Sequence, residues 1–124
     1  MPNIIINISY SCLRFLVPAK GPTIKNITSP TSTELKVMWN ELSDDNSNGI
    51  ITKYSVCYQV TSSKNVSCAK NITVIGKSNT TATLTRLKKA TMYDVAVKAA
   101  TAVGFGDLGP EKNRKTLEDG KCLM

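Results

Sequence analysis

Four cysteines carry the most distinctive side-chain chemistry of this chain, and two of them are spaced to form a disulfide. Cys57 and Cys68 flank a polar segment, and a hairpin folded symmetrically about residues 62–63 would place them opposite each other. Opposed residues on antiparallel strands have Cβ atoms about 4.5–5.5 Å apart, which a small adjustment makes compatible with a disulfide. Because Cys57 lies between Val56 and Tyr58, we expect it to point away from the core, as part of a surface cross-link. Two free thiols in a reducing cell are the alternative.

The other two cysteines, Cys12 and Cys122, lie near the ends of the chain. A bond between them would require the N-terminal segment to run along the whole folded part. We therefore expect both to be free or to bond to a cysteine outside this chain. The four cysteines are not grouped at the spacing of a zinc site, so the sequence predicts no metal centre.

The residues that usually perform acid–base catalysis are missing or badly placed. The chain has no histidine, which is the commonest general base and the commonest transition-metal ligand. Asp44 and Asp45 lie in a polar loop without a partner acid at a catalytic spacing. The glycine-rich residues 104–109 do not follow a βα turn, unlike a phosphate-binding loop. We expect a non-catalytic chain without a cofactor.

Asparagine in the triplet Asn-x-Ser/Thr is an acceptor for N-linked glycans. Five such triplets begin at Asn7, Asn26, Asn65, Asn71 and Asn79. We expect the last four on edge strands or turns, where a glycan would not disturb the core. A β protein rich in Ser and Thr also accumulates such triplets by chance. Together with a disulfide, the triplets favour an oxidising, extracellular setting.

Basic residues give the chain a formal net charge of +7. A candidate polyanion-binding patch at the C-terminal end of the folded part consists of Arg86, Lys88, Lys89, Arg114 and Lys115, with Lys112 and Lys121 as extensions. Such a patch could bind heparan sulfate through charge-assisted contacts that weaken as salt rises. The alternative is a solvated basic rim that discourages edge pairing. Nucleic-acid binding is disfavoured, because interleaved exposed aromatic residues and a recognition helix are lacking.

Short strands must position these residues, since apolar and polar side chains alternate in several stretches and no helical period separates them. The predicted strands cover residues 23–28, 35–40, 51–60, 65–75, 80–87, 93–100 and 111–117. In the third strand we expect Val60 to face the same way as Tyr54. Seven short strands with turn signals about every ten residues predict an antiparallel β-sandwich.

The alternation also predicts which side chains fill the sandwich. The expected core consists of Trp39, Tyr54, Val56, Leu84, Leu87, Tyr93, Val95 and Val97. Tyr93 follows a short corner, where such a tyrosine buries its ring and returns its hydroxyl to nearby backbone. Gly104, Gly106 and Gly109 mark a loop, because glycine permits positive φ. We expect Phe105 of that loop to fold back onto the sheet, although it could instead serve as an exposed anchor for a partner.

Over about residues 20–117 the chain resembles the fibronectin type III family. The matching positions are Trp39, the Tyr54, Val56 and Tyr58 strand, the Leu87, Thr91 and Tyr93 corner, Gly104 and Thr116. Leu42 and Lys89 replace two prolines that are common in the family. A true immunoglobulin domain is disfavoured, because the second and sixth strands contain no cysteine. The resemblance implies an all-β, seven-stranded antiparallel immunoglobulin-like sandwich.

The resemblance also implies a function in binding. It points to a protein–protein interaction or spacer module of an extracellular adhesion or receptor protein, whose partners are an unidentified protein or neighbouring modules of the same family. An intracellular structural scaffold is the alternative. The family further implies that a parent receptor could carry a kinase or phosphatase domain elsewhere.

The ends of the chain differ from its middle, and we divide it into an N-terminal tail (1–19), the sandwich domain (20–117) and a C-terminal tail (118–124). A signal peptide is disfavoured, because the chain has no early basic residue and Asn7, Ser9 and Arg14 interrupt the apolar run. No apolar segment reaches the 18 residues of a membrane-spanning helix. We therefore expect a piece of a longer protein that lies outside the cell or at its surface.

Overall fold

Seven strands form two antiparallel sheets in the computed structural model, which describes residues 17–42 and 48–118. The strands are β1 (Ile24–Thr31), β2 (Glu34–Trp39), β3 (Lys53–Val60), β4 (Asn71–Ile75), β5 (Thr81–Leu84), β6 (Met92–Ala100) and β7 (Lys112–Lys115). One sheet has the order β1-β2-β5 and the other the order β4-β3-β6-β7. The predicted fold class, an all-β, seven-stranded immunoglobulin-like sandwich, is confirmed.

Two of the predicted strand boundaries were wrong for identifiable reasons. Residues 65–70 do not belong to β4, because the pairing of β3 with β4 ends at Cys57 and Asn71. β5 ends at Leu84, and Arg86 beyond it has a φ of 58°, a left-handed conformation that cannot continue a strand. Val60, which was not among the expected core residues, lies at the end of β3 with 45% of its surface exposed.

An aromatic pair, Trp39 and Tyr54, occupies the middle of the core between the sheets. The Trp39 and Tyr54 ring centroids are 5.4 Å apart, with the ring planes inclined at 65° in the edge-to-face arrangement that aromatic rings prefer. Aliphatic side chains of both sheets surround them, and all eight residues expected in the core are buried. Leu42, which stands where the family commonly has proline, is also buried there and adds apolar contact area.

The chain before β1 packs closely along the loop between β6 and β7. A Cβ atom on Gly106 would lie 2.0 Å from the carbonyl oxygen of Pro18, so only glycine fits there. Gly106 is therefore required for a close approach, and among the three glycines of this loop only Gly104 has positive φ. The carbonyl of Val17 accepts a hydrogen bond from the Asn48 side chain. Residues 17–19, placed in the tail above, thus contact the sandwich.

Candidate functional site

A disulfide joins Cys57 of β3 to Cys68, with 4.8 Å between the Cα atoms. The hairpin geometry expected for it was wrong, because the residue opposite Cys57 in β4 is Asn71. Residues 61–70 instead leave the sheet, and Val66 packs with Cys57 on the face of the four-stranded sheet that points away from the main core. We call residues 61–70 the covering segment and that face the outer face.

The disulfide is buried at Cys57, so the expectation of a surface cross-link was also wrong. A small second core, the outer-face cluster, surrounds it and consists of Cys57, Val66, Cys68, Ala96 and Leu108. Cys57 does point away from the main core, as β-strand alternation requires. Its burial comes from the covering segment, whose contribution no strand periodicity could reveal.

Side-chain hydrogen bonds hold the covering segment in place. The Gln59 amide nitrogen donates to the carbonyls of Lys64 and Asn65, and its amide oxygen accepts from the N–H of Ser67. The carboxylate of Glu111 accepts from the backbone N–H of Val66 at 2.8 Å. The sequence pattern did not point to Glu111 or Val66. The available signal was one branched aliphatic residue, Val66, in a mostly polar stretch.

The four asparagines proposed as glycan acceptors in the sandwich are exposed, and Asn7 lies outside the described residues. Asn26 lies on β1 and Asn71 on β4, each an edge strand of its sheet. Asn65 lies in the covering segment, and Asn79 in the connection between β4 and β5. The Asn71 amide donates to the carbonyl of Cys68 at 2.9 Å, and the Asn79 amide donates to the carbonyl of Ile75.

Hydrogen bonds bring the corner before β6 next to the chain after β7. The Tyr93 hydroxyl accepts from the N–H of Lys88 at 2.8 Å, and the Thr116 hydroxyl donates to the Lys88 carbonyl at 2.7 Å. The Ala90 N–H donates to the Leu117 carbonyl. Two backbone segments rich in basic residues are thereby joined, and the exposed side chains are Arg86, Lys88, Lys89, Arg114 and Lys115. Lys121 lies outside the described residues.

Phe105 is half-buried against the outer face. Its backbone forms a bridge to Ala100, and the Lys98 and Lys53 ammonium nitrogens lie 4.6 and 5.2 Å from its ring centroid. An ammonium ion at this distance is attracted to the face of an aromatic ring. Phe105 therefore folds back onto the sheet rather than standing free as an anchor. The two lysines were not anticipated from the sequence.

Little in the described residues resembles a catalytic centre. Among residues 17–42 and 48–118, no group of three or more His, Cys, Asp or Glu side chains could hold a metal ion. Asp44 and Asp45 lie outside this part of the chain. Burial raises the pKa of the Tyr54 phenol above its ordinary value of 10.0, and its hydroxyl donates to the Lys77 carbonyl at 2.8 Å. This pKa shift accompanies core packing and does not produce a reactive group at neutral pH.

Solved structures share this fold. The third fibronectin III domain of the human KIAA0343 protein superposes with a TM-score of 0.72, at 21% identity over 86% of this chain and 88% of that one. The structure of chicken CNTN1 FN1–FN3 domains gives a TM-score of 0.67, at 20% identity, and covers 82% of this chain and 32% of that one.

In the described residues, no helix is long and apolar enough to span a bilayer.

Curated relatives match over most of the chain but only a small part of their own length. Mouse protein sidekick-2 is 35% identical over 104 residues, which are 83% of this chain and 5% of the relative. Mouse interleukin-6 receptor subunit beta is 31% identical over 99 residues, 80% of this chain and 10% of the relative. Bovine receptor-type tyrosine-protein phosphatase F is 31% identical over 101 residues, 82% of this chain and 5% of the relative.

The family model named fibronectin type III domain matches residues 21–114, which include all seven strands but the last residue of β7. The corner before β6 that ends at Tyr93, here called the tyrosine corner, lies within the match, and so does Trp39. The chain belongs to the fibronectin type III family.

Proposed function

We propose that the chain is a non-catalytic interaction or spacer module in the extracellular part of a receptor or adhesion protein. The observation that carries the proposal is the buried Cys57–Cys68 disulfide on a sandwich with four exposed glycan acceptors. Disulfides persist in oxidising compartments, and N-linked glycans are added there. Two of the relatives described above are named as receptors, which supports the same assignment. The partner is a protein ligand or an adjacent module.

The test is to secrete the full chain from mammalian cells behind an added leader. We expect a mass above that of the polypeptide, lowered by a glycosidase, and no reaction of Cys57 or Cys68 with a thiol reagent under non-reducing conditions. The rival function is an intracellular structural scaffold. An unchanged mass together with reactive thiols at Cys57 and Cys68 would contradict the extracellular proposal and favour the rival.

Polyanion binding is a second candidate function, favoured by the hydrogen-bonded contact between the basic corner and the end of β7. Its ligand would be a sulfated glycan such as heparan sulfate, held by charge-assisted contacts. We expect retention on immobilised heparin that falls with salt and is lost when Lys88, Lys89, Arg114 and Lys115 are replaced by Ala.

A matched variant shows whether heparin retention depends on the basic patch or only on the net charge of the chain. Lys25, Lys36, Lys64 and Lys70 are also exposed but lie elsewhere in the chain, and replacing these four by Ala removes the same charge. Retention should survive in this control. Equal losses in the two variants would show that only the net charge matters.

A further inference from the structure

The sandwich has two open sides, where the edge strands of its two sheets lie side by side. β1 lies next to β7 on one side and β4 next to β5 on the other. An edge strand exposes unpaired N–H and C=O groups that can pair with a strand of another molecule. Soluble β proteins protect such edges with charges, proline or a covering group.

The β1–β7 side carries charge protection. β7 has the sequence KNRK, and its residues are all exposed. β1 contains Lys25 and Pro30. A partner strand would have to desolvate several ammonium and guanidinium groups to pair here.

The two strands of the β4–β5 side lack this protection. The sequences NITVI of β4 and TATL of β5 contain neither a charged residue nor proline, and Ile75 is 67% exposed. In short uncharged segments rich in β-branched residues, edge-to-edge association is favoured.

The register of β4 shows which of its backbone groups face outward. Gly76 donates to the Thr52 carbonyl and Tyr58 donates to the Lys70 carbonyl, so these are hydrogen-bonded pairs. Pairs alternate along an antiparallel ladder, so Val74 and Ile72 also bond to β3. The N–H and C=O groups of Asn71 and Thr73 therefore point to the free edge, with which no described strand pairs.

Two glycan acceptors lie on this unprotected side. Asn71 begins β4, and Asn79 precedes β5 and bonds to the carbonyl of Ile75 at the same edge. Each side-chain amide keeps one N–H after glycosylation, so the hydrogen bonds to Cys68 and Ile75 are compatible with an attached sugar. We propose that N-glycans on Asn71 and Asn79 shield the β4 edge from pairing with a second copy of this chain. This inference rests on the proposed extracellular function.

The test compares the full chain with and without glycans. Secreted from mammalian cells, it should carry glycans at both sites and sediment as a monomer. Made in the bacterial periplasm, where the disulfide forms but no such glycan is added, it should associate with rising concentration. An unglycosylated chain that stays monomeric would overturn the inference, as would a secreted chain without glycans at either site.

Variants at Thr73 assign the association to the edge. In the bacterial protein, Thr73→Lys places a charge on exposed β4 and should restore the monomer, whereas Thr73→Val should not. In mammalian cells, Thr73→Val with Thr81→Val removes both acceptors and should cause association, whereas Thr28→Val removes the Asn26 acceptor and should not. If Thr73→Lys leaves the association unchanged, the two copies do not associate through the β4 edge, and the proposal is contradicted. If glycans are present and removing them has no effect, only this inference fails and the extracellular assignment stands.

Discussion

The carboxylate of Glu111 accepts a hydrogen bond from the backbone N–H of Val66 at 2.8 Å, although 45 positions separate the two residues. Val66 lies in the covering segment, and Glu111 immediately precedes β7. The bond satisfies a backbone donor next to a buried side chain. It also connects the segment that covers the disulfide to the edge of the sheet.

Replacing Glu111 by Ala should loosen the covering segment. The variant loses a charge-assisted acceptor, so we expect about 1 kcal/mol less stability and faster hydrogen exchange of the Val66 amide. Glu111→Gln keeps an acceptor oxygen and should have a smaller effect. Asp107→Ala, at an exposed carboxylate of the preceding loop, is the control. Unaltered exchange at Val66 in Glu111→Ala would show that the bond does not hold the segment.

Removing both disulfide cysteines should destabilise the domain. The bond closes a loop with a sequence separation of 11, and loops of about this size contribute roughly 3 kcal/mol through restriction of the unfolded chain. We expect Cys57→Ala with Cys68→Ala to lower the free energy of unfolding by about that amount. Reductant in the denaturant titration should weaken the wild type and leave the double variant unchanged. A wild-type stability that reductant does not change would contradict the expectation.

Tyr93→Phe tests the corner. The change removes the hydroxyl that accepts from the Lys88 N–H at 2.8 Å and leaves the ring in the core. A lost acceptor of this kind costs about 1–2 kcal/mol, which a denaturant titration can resolve. Tyr58→Phe is the matched control, because Tyr58 is only partly buried and its hydroxyl has no described hydrogen bond. Tyr93→Phe should lower the free energy of unfolding clearly more than Tyr58→Phe does. Equal losses of stability in the two variants would refute a special role for the corner.

Tyr54 should make stability fall at high pH. Burial raises the pKa of its phenol above 10.0, so the folded state holds the proton more tightly than the unfolded chain does. The stabilisation is complete below the unfolded pKa and is lost as the pH rises through the folded pKa. Tyr54→Phe loses the hydrogen bond to Lys77 and should be less stable than the wild type at neutral pH. Above pH about 10 the difference in the free energy of unfolding between the wild type and Tyr54→Phe should become smaller. A difference that does not change with pH would rule out this linkage.

Trp39→Ala should be the most damaging single change. The indole is 1% exposed and contacts Tyr54 edge-to-face, so truncation leaves a large cavity. Such changes cost about 3–5 kcal/mol, against a typical stability of about 5–15 kcal/mol. Trp39→Phe keeps an aromatic ring and should lose less. A melting curve scarcely altered by Trp39→Ala would be inconsistent with the central position of the indole.

Strand periodicity explains why so much of the fold could be read from the sequence. A side chain in a strand reports its face through a two-residue period, so Trp39, Tyr54 and Val95 could be assigned to the core from their neighbours alone. The tyrosine corner was predictable for a similar reason, because the relevant atoms lie five residues apart at Lys88 and Tyr93. Both signals are local.

The covering segment carried no such signal. Val66 and Cys68 pack on the outer face in the same cluster as Leu108, about 40 positions away, and the Val66 N–H donates to Glu111, 45 positions away. Hairpin symmetry therefore predicted the correct cysteine pair with the wrong geometry.

The amino-acid sequence by itself determined the sandwich, its family, its core and the pairing of Cys57 with Cys68. Only the tertiary structure decided that Cys57 is buried, that Lys53 and Lys98 flank Phe105, and that the two strands at one open side of the sandwich, β4 and β5, contain no charged residue. The physical reason is that alternation along a strand assigns a side chain to a face, whereas cover on that face comes from segments far away in the chain.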